Sequence, residues 1–143
     1  MADSTTMTIA VTTTSLLEGK KVLSDAVNTS CLWYERGKLL VRRGDYSAAL
    51  LSFDISLKRQ PNFFQAWVFR GVVMAHLRQY EAALTSFNRA LALQPEHREA
   101  WIFRGAILTY LDRPAEAVSS YSTALKLQRQ STDICADYPL WVP

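Results

Sequence analysis

The chain has 143 residues, of which 49% are apolar and 20% are charged, and its formal net charge is +3. This apolar fraction supports the core of one folded domain and excludes a chain that is disordered throughout. The longest apolar runs hold about four residues, whereas a membrane-spanning helix needs roughly twenty, so we expect no membrane span.

The basic residues and the cysteines limit the function classes further. Arg and Lys are spread through a helical region rather than gathered in one block, so we expect no nucleic-acid partner. Cys31 and Cys135 are too few for a disulfide framework or a clustered zinc site. Unpaired thiols suit a reducing compartment, which predicts a cytoplasmic protein or one in an organelle stroma.

The N-terminal part of the chain divides into a tail and a short predicted helix. Residues 1–14 are rich in Thr and are predicted to be a flexible tail. From Ser15 onward the spacing of Ser15 and Glu18 matches a capping box, which predicts a helix over 15–29 that packs on the segment after it. Its apolar face consists of Leu16, Leu23, Ala26 and Val27.

A strict period organises the middle of the chain. A Trp recurs at equal intervals and is followed, one helical turn later, by an Arg-Gly pair; these residues are Trp33, Trp67 and Trp101, with Gly37, Gly71 and Gly105. A small residue, a ring and a leucine recur at the same period, at Ala49, Ala83 and Ala117, at Phe53, Phe87 and Tyr121, and at Leu57, Leu91 and Leu125. So many coincidences at one spacing indicate a structural repeat.

Each repeat unit contains two stretches with helical spacing. In the second unit the apolar pattern predicts helices over 66–77 and 81–93, and Pro95 stops the second of them. In the third unit Pro114 stands where a second helix should begin, a position that tolerates proline. Arg129 replaces the closing proline there, so we expect the last helix to run on.

This pattern resembles the tetratricopeptide repeat family over residues 30–131, in three repeats at 30–63, 64–97 and 98–131. The resemblance implies an all-α fold, a right-handed superhelical solenoid of three stacked helix–turn–helix units with a short N-terminal helix. The glycines and alanines would let helices approach closely, while the rings fill the space around them. Repeats with Arg-Gly at this place are similar to those common in bacterial proteins, including cyanobacterial ones.

The Arg before each glycine departs from the family, which usually has an apolar residue there. In one interpretation the stems of Arg36, Arg70 and Arg104 pack along the core edge and their heads reach water or a carboxylate. In the other, the three form a ladder that binds anionic ligands.

Family members that bind heat-shock chaperone tails hold them with a clamp of Lys, Asn and Arg. The matching positions of this chain are Tyr34, Lys38, Phe69, Glu99 and Phe103. Since only Lys38 could contribute to such a clamp, the resemblance disfavours a carboxylate clamp here.

No catalytic or cofactor motif is present in the sequence. His76 and His97 are the only histidines, and neither has a nucleophile or carboxylate at a recognisable spacing. We therefore expect no enzymatic activity, no metal and no cofactor.

One face of each first helix, opposite the Gly and Trp side, is predicted to line a concave groove. The predicted groove residues are Tyr34, Lys38, Arg42, Val68, Phe69, Val72, His76, Ile102, Phe103, Ala106 and Tyr110. The faces of the second and third repeats are apolar, which predicts a groove for an apolar or amphipathic partner segment, with a basic rim at Lys38, Arg42 and Arg43. The alternative is that the chain's own tail covers these residues.

Residues 132–143 are predicted to be an apolar C-terminal tail. This tail either folds back over the last repeat or docks on another chain through Leu140 and Trp141. Two functions follow from these alternatives. The first is a protein-binding adaptor, assembly factor or chaperone; the second is a structural subunit of a homo-oligomer or a larger complex, photosynthetic or secretion-related, including one at a membrane periphery.

Overall fold

A computed structural model describes residues 29–136, which form six helices and no strand. The helices are α1 (29–43), α2 (Tyr46–Arg59), α3 (Phe64–His76), α4 (Tyr80–Leu93), α5 (Arg98–Tyr110) and α6 (Pro114–Ala136). Each successive pair makes one helix–turn–helix repeat, so the expected all-α repeat fold is confirmed. The predicted tail 1–14, the predicted helix 15–29 apart from its last residue, and the proposed docking residues Leu140 and Trp141 lie outside the described residues.

Side chains next to the helix starts satisfy backbone N–H groups that have no partner within the helix. The Asp45 carboxylate accepts a hydrogen bond from the N–H of Ala48 at 3.3 Å at the start of α2. At the start of α5, Nδ1 of His97 accepts from the N–H of Ala100 at 3.2 Å. His97 therefore has a structural role as a helix cap.

The turn inside each repeat uses the same left-handed backbone position. Gly44, Arg78 and Asp112 occupy equivalent places in the three repeats and have φ angles of 79°, 59° and 55°. Glycine adopts this conformation freely, whereas other residues do so at a conformational cost. The first turn thus has the residue that the geometry favours, and the other two do not.

The two helices of a repeat meet where a glycine faces an aromatic ring. A Cβ atom added to Gly71 would lie 2.8 Å from the ring of Phe87, and one added to Gly37 would lie 2.6 Å from the ring of Phe53. Both distances are too short for real atoms, so only glycine permits this approach. The ring belongs to the second helix of the same repeat, which explains why the Gly and ring positions recur together.

The repeats are joined by a second recurring contact. The indole N–H of Trp67 donates to the carbonyl of Pro61 at 2.8 Å, and that of Trp101 donates to the carbonyl of Pro95 at 2.8 Å. Each of these two Trp side chains therefore anchors the loop that precedes its repeat. The hydrogen bond explains why the Trp follows the closing Pro at the same interval in both places.

The last helix is longer than its counterparts. α6 has 23 residues, whereas α2 and α4 have 14 each. This agrees with the lack of a closing proline at Arg129. The helix continues to Ala136, so it includes the first five residues of the predicted tail 132–143.

Candidate functional site

An apolar cavity of about 290 Å³ is lined by residues of α3, α4 and α5. Its lining residues are Val72, Ala75, His76, Tyr80, Phe87, Phe103, Ala106, Ile107 and Tyr110. Five predicted groove residues meet here: Val72, His76, Phe103, Ala106 and Tyr110. The side chains are mostly apolar, so the cavity suits an apolar group better than a charged one.

Stacked aromatic pairs form the rim of the groove. The ring of His76 stacks on Tyr46 with centroids 4.5 Å apart and an interplanar angle of 5°. One repeat later, Tyr110 stacks on Tyr80 at 5.0 Å and 1°. Each pair joins the second helix of one repeat to the first helix of the next, so the rim is fixed by contacts between repeats.

Phe103 is an accessible aromatic side chain at the cavity. Its ring stacks on Phe87 with centroids 5.7 Å apart, yet 39% of the residue remains exposed. Phe69 stacks on Phe53 with the same geometry, but the ring of Tyr34 also contacts it at 5.7 Å and leaves it half-buried. Of these two predicted groove residues, Phe103 is therefore the better placed to touch a partner.

The first-repeat end of the groove carries positive charge. Nζ of Lys38 lies 2.9 Å from the Glu35 carboxylate and 4.9 Å from the centre of the Tyr34 ring. Its hydrogen bond to Glu35 is the main cause that raises the pKa of Lys38, and burial raises the pKa of Tyr34. Since Glu35 offsets the charge of Lys38, the positive charge near this end of the groove comes mainly from the exposed Arg42, which is followed by the exposed Arg43.

Three predicted groove residues lie elsewhere. Tyr34, the equivalent of Val68 one repeat earlier, is half-buried with its ring 4.8 Å from that of Phe63. Val68 is only 8% exposed and belongs to the core between the second and third repeats. Ile102 is 39% exposed, but it faces a different cavity, beside Tyr121 and Leu125. The physical reason is that neighbouring positions on a helix point about 100° apart, so residues adjacent to Phe69 and Phe103 cannot share their face.

The second helices also contribute to the groove, which the sequence reasoning did not anticipate. Tyr80 and Phe87 of α4 line the cavity together with the residues of α3 and α5. The recurrence of tyrosine at Tyr46 and Tyr80 was a signal at the right spacing. It was missed because the groove was assigned to the first helices alone.

The arginines before the glycines contact this chain's own side chains. Nε of Arg104 donates to Oδ1 of Asn88 at 2.8 Å, and its Nη1 donates to Oγ of Ser120 at 2.5 Å. Arg36, in the first repeat, is exposed and lies over the Trp33 ring at 5.2 Å. These contacts favour the packed interpretation over a ladder for anionic ligands.

The described part of the chain lacks both a metal-binding cluster and a membrane-spanning helix. Among the side chains described, those of residues 29–131, His, Cys, Asp and Glu do not come together in groups of three that could hold a metal ion. Among the helices of the same region, none combines the length and the apolar character needed to cross a membrane.

The comparisons with known proteins agree on one fold. The family model described as tetratricopeptide repeat matches residues 34–95 and 75–133. No curated protein matches the sequence. The crystal structure of MamA superposes with a TM-score of 0.72 at 15% identity, covering 75% of this chain and 63% of that one, so this chain spans less than two thirds of MamA.

Two further structures are similar along most of their own length. The second TPR of Spaghetti (RPAP3), bound to HSP90 peptide SRMEEVD, has a TM-score of 0.71 and 20% identity, covering 75% of this chain and 98% of that chain. The Arabidopsis OM64 TPR domain has a TM-score of 0.70 and 19% identity, covering 73% and 87%. At these identities the likeness establishes the fold alone.

Proposed function

Because the chain belongs to the tetratricopeptide repeat family, whose domains generally mediate protein–protein interactions, we propose that it binds an apolar or amphipathic segment of a partner protein in its concave groove. It would act as a non-enzymatic adaptor or assembly factor. The observation that carries this proposal is the apolar cavity between α3 and α5, with the exposed ring of Phe103 in its wall.

The cavity would receive one bulky apolar side chain of the partner. Its walls are set before binding, because the Tyr80–Tyr110 and Phe87–Phe103 ring pairs belong to packed helices. A preformed pocket loses little conformational entropy on binding, so the apolar contact contributes more of its free energy to affinity. An anchor side chain buried in such a pocket typically contributes about 2 kcal/mol or more.

Acidic residues of the partner would lie toward the first repeat. Arg42 and Arg43 are exposed there, and charges at the edge of an interface mainly change the association rate and its salt dependence. We do not propose a carboxylate clamp, because Glu35 and the Tyr34 ring already engage Lys38.

The test uses random peptides displayed on phage and selected against the full chain. We expect the selected peptides to share a bulky apolar residue, and Phe103→Ala to weaken their binding roughly thirtyfold or more. Ile102→Ala is the matched control, since Ile102 is adjacent, equally exposed at 39%, and outside the groove. Equal losses in the two variants, or no loss with Phe103→Ala, would overturn the proposal.

Charge is tested with the same peptides. The double variant Arg42→Ala, Arg43→Ala should bind the selected peptides more slowly at low salt. Peptides selected against this variant should still share a bulky apolar residue. If only this variant abolished binding, the interaction would be electrostatic and the apolar cavity would not be the site.

A further inference from the structure

The end of the solenoid formed by α5 and α6 has the apolar character of an interface between repeats. Val68 and Leu91 are buried against the third repeat, at 8% and 7% exposure. Their equivalents one repeat later, Ile102 and Leu125, are exposed at 39% and 55%. The same positions therefore change from core to surface because no fourth repeat follows within the described chain.

A cavity of about 350 Å³ lies on this surface, which we call the end face. Its lining residues are Arg98, Ile102, Tyr121, Ala124, Leu125 and Gln128. Tyr121 is 37% exposed, although its equivalent Phe87 is 1% exposed. Adjacent apolar side chains in water favour association, so the free energy of the chain falls when something covers them.

We infer that residues 137–143 of the same chain cover the end face, with Trp141 in the cavity and Leu140 beside it. This inference is independent of the partner proposed for the concave groove. The segment reads Asp-Tyr-Pro-Leu-Trp-Val-Pro and contains one charged side chain, Asp137. Its apolar residues match the apolar lining of the cavity in character.

The length of the segment fits this placement. Leu125 and Gln128 precede Ala136, the end of α6, by about three turns and about two turns of helix, which is about 17 and 12 Å along the axis. The stretch from Ala136 to Trp141 spans at most about 17 Å when extended. A chain that turns back after α6 therefore brings Trp141 to the level of the cavity.

A proline in this segment disfavours its continuing α6 as a helix. Pro139 lacks a backbone N–H and disfavours helical geometry in the residue before it, Tyr138. The sequence therefore disfavours a helical continuation of α6 through this segment, as the inference requires. Because its tether is short, the effective concentration of Trp141 at the end face is on the order of millimolar, above that of a free partner.

The first test is a double-mutant cycle by urea unfolding of the full chain. Trp141→Ala and Leu125→Ala should each raise the unfolding equilibrium constant about tenfold, and the double variant should raise it by little more than one of them alone. Leu51→Ala is the matched control, because Leu51 is a leucine of similar exposure, 63%, on α2. Leu51→Ala and Trp141→Ala should act independently, so their fold-changes in the unfolding equilibrium constant should multiply in the double variant.

The second measurement is the mass of each protein by light scattering over a range of concentrations. The inference is supported if the protein is a monomer and the effects of Trp141→Ala and Leu125→Ala on the unfolding equilibrium constant are coupled. Independent effects of Trp141→Ala and Leu125→Ala would overturn it. Coupling that occurs only in a dimer, with a concentration-dependent unfolding midpoint, would also overturn it and would assign the end face to a second copy.

Discussion

Arg70 of α3 joins two neighbouring repeats through Asp54 of α2, with Nε donating to Oδ1 at 2.6 Å. Its Nη1 donates to Oγ of Ser86 in α4, also at 2.6 Å. One guanidinium thus connects three helices, and its geometry is reproduced one repeat later by Arg104. The planar fork of arginine suits this role, because its donors point in fixed and different directions.

We predict that Arg70→Ala lowers the free energy of unfolding by about 2 kcal/mol, since two hydrogen bonds from a charged donor are lost, one to the preceding repeat and one within its own repeat. Arg36→Ala is the matched control at the equivalent position, where the side chain is exposed. Its effect should stay within about 0.5 kcal/mol. Urea unfolding followed by circular dichroism measures both, and equal losses would show that the bonds of Arg70 contribute nothing specific.

We predict that Gly71→Leu destabilises the chain by about 1–3 kcal/mol or more, because its Cβ alone would lie 2.8 Å from the buried Phe87 ring. Gly105→Leu meets the ring of Tyr121 at the same distance, but Tyr121 is 37% exposed whereas Phe87 is 1% exposed, so the Tyr121 ring is less tightly enclosed by the described part of the chain. Melting temperatures should therefore fall further for Gly71→Leu. A Gly71→Leu melting temperature equal to that of the wild type would contradict the packing described here.

The turn positions give a pair of opposite changes. We expect Gly44→Ala to cost about 1 kcal/mol, since the added Cβ meets no atom within 4 Å and only the left-handed backbone resists it. Arg78→Gly should stabilise by up to about 1 kcal/mol, because it removes that backbone cost at the equivalent turn. Chemical unfolding of the two variants checks the signs, and a shared sign would contradict the explanation.

Tyr34 predicts a loss of stability at high pH. Burial raises its pKa in the folded chain above the ordinary value of 10.0, so the unfolded chain releases the proton first. The contribution of the neutral Tyr34 hydroxyl to the free energy of unfolding is therefore fully present below pH 10.0. It is lost as the pH rises through the pKa of Tyr34 in the folded chain. Tyr34→Phe should make the fall in urea midpoint between about pH 9 and about pH 11 less steep; an unchanged slope would contradict the burial of this hydroxyl.

The repeat spacing identifies equivalent positions in the sequence, but it does not identify their surroundings. Phe69 and Phe103 lie one repeat apart, and each stacks with the same geometry on a ring of the second helix of the preceding repeat. Val68 and Ile102 are also one repeat apart, yet one is core and the other lies on the end face. A repeat pattern shows which positions are equivalent, and it does not show which of them has a neighbour.

The amino-acid sequence alone was enough to predict the helix–turn–helix repeat, its period and the continuation of the last helix. These features depend on contacts within one repeat, such as glycine against a ring, or on residues a few positions apart, such as proline at a helix end. Three features could not be predicted from the repeat pattern: the guanidinium groups of Arg70 and Arg104 bind neighbouring side chains, α4 lines the cavity, and Ile102 faces the end of the stack. Those outcomes depend on the stacking of successive repeats, since equivalent residues meet different surroundings in the middle of a stack and at its end.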